Sequence, residues 1–528
     1  MPLKPLPTEP QSDSIGSSVS RWSAFLIPSV ADLLFITVLF GLSSGALGRL
    51  LLRDADTGWH IRNGQLMLQT HSITHVDSFS STMNGQPWYA WEWLYDVLVG
   101  AIHAVLGLNG VVFYTAAIIA ATFVLVFHIA MRRGGSLPVT FFFLVLTIGA
   151  SAIHFLARPH VISWLLAVIW FDLLDSARNS SGRQIFFLPA VMLLWANVHG
   201  GFLLGFVLLG IYLTGGVIEY FIHREQRAET RAWLSRLAQV TGLCLLASLC
   251  NPFGYHLHLH IYRYLTDRFL MDRVSEFLAP DFHGAAQQCF AVLLLVTVIT
   301  VAGARRRLDP TRLLVVLFAC YSGLYAARNL PVSSMLLTMI LAPLISETIS
   351  AASSNGSPSS AIFSRLHSFG MRMGRLEAGL QGHVCLVLSF ALGLWACTHG
   401  GRLGSSQLIN AYFDDKHFPV AAAQVLADRD IREPIFCPDQ WGGYLIYRLY
   451  PQTQVMVDDR HDLYGDQFFK RYLKIIYVQP DWQKVLDEEH VNWIVVQKNS
   501  SLGTILGETP SWKLIHQDET AILFHREP

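Results

Sequence analysis

The sequence predicts a mainly α-helical membrane protein: a polytopic bundle of about 11 transmembrane spans plus an interfacial helix, followed by a soluble C-terminal α/β domain. Three observations predict this fold class. Of the 528 residues, 52% are hydrophobic and only 14% are charged, whereas a soluble domain carries about 25% charged residues. Apolar runs of about 20 residues, the length that crosses a bilayer, recur through the first three quarters of the chain. The last part alternates short helical and extended patterns, which is typical of an α/β domain. The helices are predicted at 419–428, 443–449 and 482–489, and the strands at 434–437, 454–457, 492–497, 512–517 and 521–524.

The apolar runs and the charged loops between them predict the topology. Arginine-rich loops alternate with loops that carry few basic residues. The positive-inside rule places the arginine-rich set, and with it the N-terminus, in the cytoplasm. The C-terminal domain then lies on the other side of the membrane. The predicted spans are residues 24–47, 110–131, 137–156, 161–177, 184–200, 202–222, 237–254, 285–303, 312–327, 333–350 and 382–400.

Composition also divides the chain into domains. We expect a disordered cytoplasmic tail at 1–22, a transmembrane domain at 23–400 with a long first outer loop at 48–109, and an extracytoplasmic α/β domain at 401–528. The 38 basic and 38 acidic residues balance, so the charge gives no indication of a nucleic-acid partner. The seven cysteines have no pairing pattern, which argues against a disulfide framework.

The segment Trp91–Gly107 is predicted to be the interfacial helix. It is apolar, but Glu92, Asp96 and His103 fall within about 40° of one another on a helix. An acidic residue in the middle of a span costs roughly 2.5–3.5 kcal/mol. We therefore expect this helix to lie at the outer interface, and a re-entrant helix that lines a cavity is the alternative.

Two acids, Asp54 and Asp56, follow the first span directly. Separated by one residue, they point the same way if the backbone is extended there. They could hold a divalent cation through hard oxygen ligands, or one of them could take a proton from an attacking hydroxyl. The structural alternative is a solvated loop in which an aspartate caps a helix that begins near Thr57.

Arginines also stand at the predicted outer ends of two spans, where positive charge is disfavoured. Arg158 is followed by Pro159 and His160, and Arg328 precedes a second proline. Guanidinium groups recognise phosphate and tolerate a position near lipid. Snorkelling at a helix end is the structural alternative for either residue alone.

Further polar residues are expected near the same surface. Asn197 and His199 precede a glycine pair at the outer end of the fifth span, where polar side chains usually face protein or a cavity. Glu276 lies in an otherwise apolar stretch of the outer loop 251–284 and is a candidate second carboxylate. The triplet His256/His258/His260 lacks a matching acid or cysteine at the spacing of a metal site.

This plan resembles the GT-C membrane glycosyltransferases, a superfamily that includes oligosaccharyltransferase catalytic subunits, protein O-mannosyltransferases and aminoarabinose transferases. The run from Asp54 to Arg62 resembles the first-loop acidic motif of that group. Phe155–His160 resembles the LARPD stretch of the aminoarabinose-transferase-like branch, with His160 in place of the acid. The C-terminal domain has no match to the WWD-type acceptor motif of oligosaccharyltransferases, which disfavours an Asn-glycosylating enzyme.

The resemblance implies a glycosyltransferase that uses a polyprenyl-phosphate sugar as donor and inverts the sugar carbon. It also implies a multi-pass protein of the bacterial inner membrane whose C-terminal domain is periplasmic. The acceptor would be the hydroxyl of a glycan, lipid or protein. No cofactor is implied, although Asp54 and Asp56 could hold Mg²⁺ or Mn²⁺. The implied roles are base for Asp54, orientation by Asp56 and His60, binding of the donor phosphate by Arg158, His160, His199 and Arg328, and the cavity wall for Glu92, Asp96, Asn197 and Glu276.

Two other classes of function stay open from the sequence. A transporter or flippase of a lipid-linked or polar substrate would usually place its polar site near the bilayer midplane on repeated halves. A non-catalytic envelope assembly protein would use its outer domain to bind a partner.

Overall fold

The structure, a computed structural model, describes residues 26–178, 182–353, 360–380 and 382–527. The predicted tail at 1–22 therefore lies outside the described residues.

A bundle of apolar helices forms most of the molecule, as predicted. Each of the eleven predicted spans contains a helix among the described residues. Seven helices of the described chain are long and apolar enough to cross a membrane, or eight if one bent pair counts as a span. The bundle helices are α1 (Val30–Ser43), α4 (Trp93–Arg132), α5 (Leu137–Ser151), α6 (His160–Arg178), α7 (Leu188–Val198), α8 (Leu203–Ile222), α9 (Arg227–Leu249), α12 (Ala285–Gly303), α13 (Pro310–Tyr325), α14 (Leu330–Ser353) and α16 (His383–Thr398), numbered with the helices introduced below.

Seven of the predicted spans contain a helix long enough to cross a membrane, and four contain a shorter one. Helices α1 and α13, and the apolar segment Arg183–Val198 that ends with α7, have fewer than 18 residues. Helix α16 belongs to the bent pair, at 67° to the preceding helix α15 (Ser360–Gly379). Outward-facing side chains of α12 such as Val298 and Ile299 stay exposed at 68% and 69%. This exposure suits helices whose solvent is lipid.

Helix α4 is interrupted at Gly107, which separates residues 93–106 from residues 108–132. Gly107 has φ 61° and ψ −160°, a backbone conformation that is essentially restricted to glycine. The predicted boundary near residue 107 is therefore a real break in the helix. The interfacial position of its first part stays a prediction.

Short helices fill the two long loops at one end of the bundle. The first loop holds α2 (Gly45–Leu50) and α3 (Asp56–Thr70), and the loop before α12 holds α10 (Tyr255–Thr266) and α11 (Arg268–Met271). Helix α3 packs against the start of α4 at two glycines. A Cβ added to Gly64 would lie 1.8 Å from the Asp96 carbonyl oxygen, and one added to Gly100 would lie 2.7 Å from Gly64. The two backbones therefore touch. The 3₁₀ turns are Ala152–His154, Arg183–Phe187, Gly200–Phe202, Arg224–Gln226, Ser275–Phe277 and Ala327–Asn329.

The C-terminal α/β domain has a four-stranded mixed sheet. Strand β3 (Ile435–Phe436) pairs parallel with β4 (Trp493–Gln497), and β6 (Ala521–Arg526) pairs antiparallel with both β4 and β5 (Trp512–Gln517). A separate two-stranded hairpin, β1 (Arg402–Leu403) and β2 (Ser406–Gln407), follows α16. The helices of this domain are α17 (Val420–Asp428), α18 (Asp439–Leu449), α19 (His461–Ile476), α20 (Trp482–Glu488) and α21 (Ser501–Glu508).

Most predicted elements of this domain are present, but one predicted strand is different. Residues 454–457 form isolated bridges and no continuous strand: Val455 pairs with Ile435 of β3 on one side and with Ser80 of the first loop on the other. Because this short segment is shared between two partners, it joins the first loop to the C-terminal sheet.

Side chains and glycines fix the C-terminal domain to the first loop. A Cβ on Gly58 of α3 would lie 2.3 Å from the carbonyl oxygen of Gly443 in α18. Arg460, whose side chain is 1% exposed, pairs with Asp77 of the first loop and with Asp458, both at 2.7 Å. The same guanidinium lies 4.5 Å from the ring centroid of Trp88. The loop and the domain thus form one continuous wall at this end of the bundle.

Candidate functional site

Helix α3 and the segment before α6 place Asp54 and Asp56 at the end of the bundle where the first loop lies. Asp54 precedes α3 and Asp56 is its first residue, where the exposed amide groups of a helix favour negative charge. The Asp56 amide donates to Asp54 Oδ1 (3.0 Å), and Trp59 Nε1 donates to Asp56 Oδ1 (2.9 Å). The Thr57 hydroxyl donates to the carbonyl of Ala157 (3.0 Å). The two acids are therefore held against the residue that precedes Arg158.

Arg158 lies between the two acids and a third carboxylate. Its Nη1 is 3.1 Å from Asp54 Oδ2, and its Nη2 is 2.5 Å from Asp56 Oδ2. Glu276 lies 3.9 Å from Arg158 Nη1 and 3.5 Å from Nη1 of Arg328. These charged residues thus form a continuous chain, from Asp54 and Asp56 through Arg158 and Glu276 to Arg328.

Another acid of the cluster, Asp459, comes from the C-terminal domain. One ligand oxygen from each of Asp54, Asp56 and Asp459 lies within 4.8 Å of the others. The Oδ1 atom of Asp459 is buried without a hydrogen-bond partner among the described residues. Burial and the neighbouring carboxylates of Asp56 and Asp54 raise the pKa of Asp459 well above its ordinary value. Asp459 therefore holds its proton more tightly than an exposed aspartic acid does, and it can share that proton with Asp56.

The surroundings of Asp54 and Asp56 set their pKa values apart. Burial raises the pKa of Asp54, although Arg158 acts in the opposite direction. For Asp56, burial is outweighed by Arg158 and by hydrogen bonds, so its pKa lies below the ordinary value. For Glu276, burial is outweighed by Arg328 and Arg158, and its pKa is likewise lowered. Asp54 is thus the more basic of the two first-loop carboxylates, which is the property a proton acceptor needs.

Helix α6 and the joint between α7 and α8 orient His199. Its Nδ1 accepts a hydrogen bond from the Gly201 amide (3.0 Å) and lies 2.7 Å from the Ser163 hydroxyl. Ser163 in turn accepts from Trp195 Nε1 (2.7 Å). Because Nδ1 is an acceptor, neutral His199 carries its proton on Nε2, which lies 3.6 Å from Glu92. That proton points toward the Glu92 carboxyl group.

Glu92 connects His199 to a buried pair behind it. Its other oxygen lies 3.7 Å from His60 Nε2, and His60 Nδ1 lies 2.5 Å from Asp96. The Asn63 amide also donates to Asp96 (2.6 Å). Burial raises the pKa of Glu92 to about 8, whereas for His60 burial is outweighed by Asp96 and Glu92, which raise its pKa. The buried His60 thus holds its proton more tightly than a free imidazole, and Glu92 is mostly protonated at neutral pH.

Two cavities meet at Arg158, Glu276 and His154. The carboxylate cavity, about 620 Å³ in volume, is lined by Asp54, Asp56, Asp459 and His461. The histidine cavity, about 130 Å³, is lined by Glu92, His160, His199 and Arg328. Arg158 and Glu276 therefore face both spaces.

The structure thus brings together most of the predicted site residues. Asp54, Asp56, Arg158, His160, His199, Arg328, Glu92 and Glu276 all line these two cavities. Three predicted residues line neither cavity and lie buried behind the residues that do: His60, Asp96 and Asn197. Asn197 accepts from Trp93 Nε1 (2.9 Å) and donates to the Cys250 carbonyl (3.0 Å), so its amide holds helices together. His160 donates Nε2–H to the His154 carbonyl (2.8 Å).

The histidine triplet of the outer loop does not converge on one point. His258 bonds Ser248, His260 bonds Asp462, and His256 stacks on Tyr255. Within the described ranges, Asp54, Asp56 and Asp459 form the group with the geometry to hold a metal ion.

Sequence reasoning missed Asp459 and His461. The imidazole of His461 lies 2.9 Å from Asp439 and lines the carboxylate cavity. The signal that could have found them was the polar run from Asp458 to Asp462, which follows a buried apolar segment directly. Functional side chains commonly stand at such a position, where an extended segment ends.

Comparison with solved structures finds the same fold in an archaeal enzyme. The oligosaccharyltransferase AglB of Archaeoglobus fulgidus, in complex with an inhibitory peptide and a dolichol-phosphate, matches with a TM-score of 0.59 at 10% identity, over 90% of this chain and 69% of that chain. The apo oligosaccharyltransferase of the same organism matches with 0.55 at 10% identity, over 92% and 70%. ArnT of Cupriavidus metallidurans bound to undecaprenyl phosphate gives 0.49 at 11% identity, over 94% and 97%. No family model and no curated protein sequence matches the chain.

Proposed function

We propose that this chain, which has the GT-C fold of membrane glycosyltransferases, is itself a glycosyltransferase. It would move a sugar from a polyprenyl-phosphate donor to an extracytoplasmic acceptor hydroxyl, with inversion at the sugar carbon. One observation carries the proposal. Acids of the first loop, a carboxylic acid of the C-terminal domain and arginines from two distant helix ends converge on two adjoining cavities at one end of the bundle. The same end is proposed to face the periplasm of a bacterial inner membrane.

Arg158 and Arg328 are proposed to bind the donor phosphate. Each now pairs with Glu276, at 3.9 Å and 3.5 Å, and a phosphate between them would compete with that carboxylate. The negative charge of the leaving phosphate grows in the transition state, so fixed guanidinium groups stabilise that state more than the bound donor. His199 adds an Nε2–H donor, and His160 lines the same cavity. The AglB complex contains a dolichol-phosphate, a ligand of this chemical class.

Asp54 is proposed as the base that accepts the proton of the acceptor hydroxyl. Burial makes it the more basic of the first-loop acids, and it faces the larger cavity, where an acceptor has room. Asp56 is ion-paired to Arg158 at 2.5 Å and would orient the arginine. His60 is a positioning residue, since it lies buried behind the cavity wall and holds Glu92 and Asp96.

The carboxylate cluster has a donor set that suits Mg²⁺ or Mn²⁺. Three carboxylates offer hard oxygen ligands, and Asp459 Oδ1 lacks a partner among the described residues. Asp54, Asp56 and Asp459 would hold the ion. A bound ion would supply positive charge beside the reacting oxygens, in addition to that of Arg158.

The test compares envelope glycans and lipids by mass spectrometry in cells with and without the protein. A glycoform that depends on the protein should be restored by the wild-type gene and by Asp272→Asn, an exposed acid of the outer loop. Asp54→Asn should restore it at a rate on the order of 10²–10⁴ times lower, since a positioned base contributes that much. Full restoration by Asp54→Asn at wild-type abundance would show that Asp54 is not the base. Uptake of a substrate into sealed vesicles that depends on the protein, with no change in glycoforms, would contradict the transferase.

A further inference from the structure

A second large cavity lies at the end of the bundle opposite the candidate site. Its lining includes the last turn of α4, the loop after it, the end of α8 and the last turns of α14. The candidate site uses the other ends of α4, α8 and α14. We name this space, of about 1560 Å³, the arginine cavity.

Five arginines line the arginine cavity, and three of them have no acidic partner among the residues that the structure describes. Arg133 pairs with Asp172 (3.1 Å) and Arg312 with Asp175 (3.0 Å). The three unpaired guanidinium groups have no carboxylate within 4.0 Å in the part of the chain that the structure describes; they are Arg306, Arg307 and Arg375. Glu347 and Asp309 are the acids of the lining, and Asp309 is already paired with Arg178 at 2.6 Å. The cavity therefore carries a surplus of positive charge.

The floor of the arginine cavity is apolar. Met339, Ile340 and Leu344 of α14 form part of it. Helix α15, which lines one side, is amphipathic: Arg375 and His367 face the cavity, while Ile362 and Phe369 are 72% and 43% exposed. A helix of this pattern lies in a membrane surface with its apolar face in the acyl region. The cationic rim and the apolar floor together match a ligand with an anionic head and a hydrocarbon tail.

We propose that the arginine cavity binds an anionic phospholipid, with its phosphate on Arg306, Arg307 and Arg375 and its acyl chains along α14 and α15. Unpaired guanidinium groups at a membrane surface attract anionic headgroups, and arginine binds phosphate with two parallel N–H donors. A free phosphate shares this head chemistry but would gain nothing from the apolar floor. Lipid binding here is independent of sugar transfer at the other end of the bundle.

The test measures lipid binding to the purified full-length protein in a non-ionic detergent. Fluorescent phosphatidylglycerol is titrated against wild type and against the triple variant Arg306→Gln, Arg307→Gln, Arg375→Gln. The control triple Arg224→Gln, Arg231→Gln, Arg365→Gln removes arginines that do not line the cavity. Phosphatidylcholine and inorganic phosphate serve as competitors.

Wild type and the control triple should bind phosphatidylglycerol with similar affinity, and the cavity triple should lose on the order of 100-fold. Phosphatidylcholine should compete poorly, and millimolar inorganic phosphate should not displace the lipid. Equal losses in both triples would show unspecific attraction by charge and would overturn the proposal. Displacement by inorganic phosphate would overturn it as well, because the ligand would then be the free anion. The single variant Arg375→Gln should show an intermediate loss, and wild-type binding by it would contradict the assignment of this helix.

Discussion

The carboxyl groups of Asp54, Asp56 and Asp459 share one cluster, but their pKa values shift in different directions or to different extents because their neighbours differ. For Asp56, burial is outweighed by Arg158 and by hydrogen bonds, which lower its pKa, whereas burial and the neighbouring carboxylates raise the pKa of Asp459 well above its ordinary value. Asp54 lies between these extremes. Carboxyl groups whose pKa values differ in this way can act as base, ion-pair partner and proton donor within a single small volume.

Glu92 makes the free energy of unfolding depend on pH. Its pKa rises from 4.5 to about 8 on folding. Between these values the unfolded chain loses this proton and the folded chain keeps it, so the free energy of unfolding falls as pH rises. Glu92→Gln should therefore lose less thermal stability than wild type between pH 5 and pH 8, measured by tryptophan fluorescence. The exposed Glu229→Gln should follow wild type, and an unchanged profile in Glu92→Gln would contradict the burial of its proton.

Mn²⁺ binding to the carboxylate cluster can be measured without any activity. A ligand at 100 times its Kd stabilises the folded state by about 2.7 kcal/mol. Added Mn²⁺ should raise the unfolding temperature of wild type, and a chelator should reverse the shift. Asp459→Asn should abolish the shift, whereas Asp466→Asn, an exposed acid paired with Lys470, should retain it. A full shift in Asp459→Asn would place the ion elsewhere.

At the scale of secondary structure, the sequence predicted what depends on local pattern. The apolar bundle helices follow from length and composition, and the break at Gly107 lies where the polar face of 91–107 ends. Helix α19 was not predicted because Gly465, at φ 69°, interrupts a polar stretch. The segment 454–457 was predicted as a strand, but its partners are residues far away in sequence. Asp459 was missed for the same reason: no spacing in the chain connects it with Asp54.

The crossing of α3 and α4 at Gly64 should tolerate no side chain. A methyl group there would overlap the Asp96 carbonyl, 1.8 Å from the added carbon, and Asp96 holds His60. Gly64→Ala should destabilise the protein by about 1–3 kcal/mol or more, the usual cost of overpacking. Gly210→Ala in α8, with nothing within 4 Å of the added carbon, should change stability by less than about 1 kcal/mol. Thermal unfolding of both variants measures the difference, and equal stability would show that the helices can separate freely.

At the scale of the whole molecule, the C-terminal domain is part of the site. Arg460 joins Asp77 of the first loop to Asp458, and the residue before it, Asp459, reaches Asp56. The glycine contact between α3 and α18 adds a second fixed point. The geometry of the carboxylate cavity thus depends on how the domain docks.

Loss of Arg460 should undock the C-terminal domain. Arg460→Gln leaves the carboxylates of Asp77 and Asp458 buried without their cation, which typically costs about 3–5 kcal/mol. The matched variant Arg432→Gln removes a 77% exposed partner of Asp430 and should cost less than about 1 kcal/mol. Limited proteolysis of the folded protein should cut Arg460→Gln between the bundle and the domain. Resistance equal to that of Arg432→Gln would contradict the docking role.

The bond between Arg460 and Asp77 joins residues 383 positions apart, which has a consequence for biogenesis. At a translation rate of about 5–20 residues per second, the first loop waits roughly 20–80 s for its partner to leave the ribosome. During that interval the Asp77 carboxylate lacks its ion-pair partner Arg460, and Ser80 lacks its backbone bridge to Val455. Nascent chains halted before residue 455 should therefore carry a first loop that chaperones and proteases recognise.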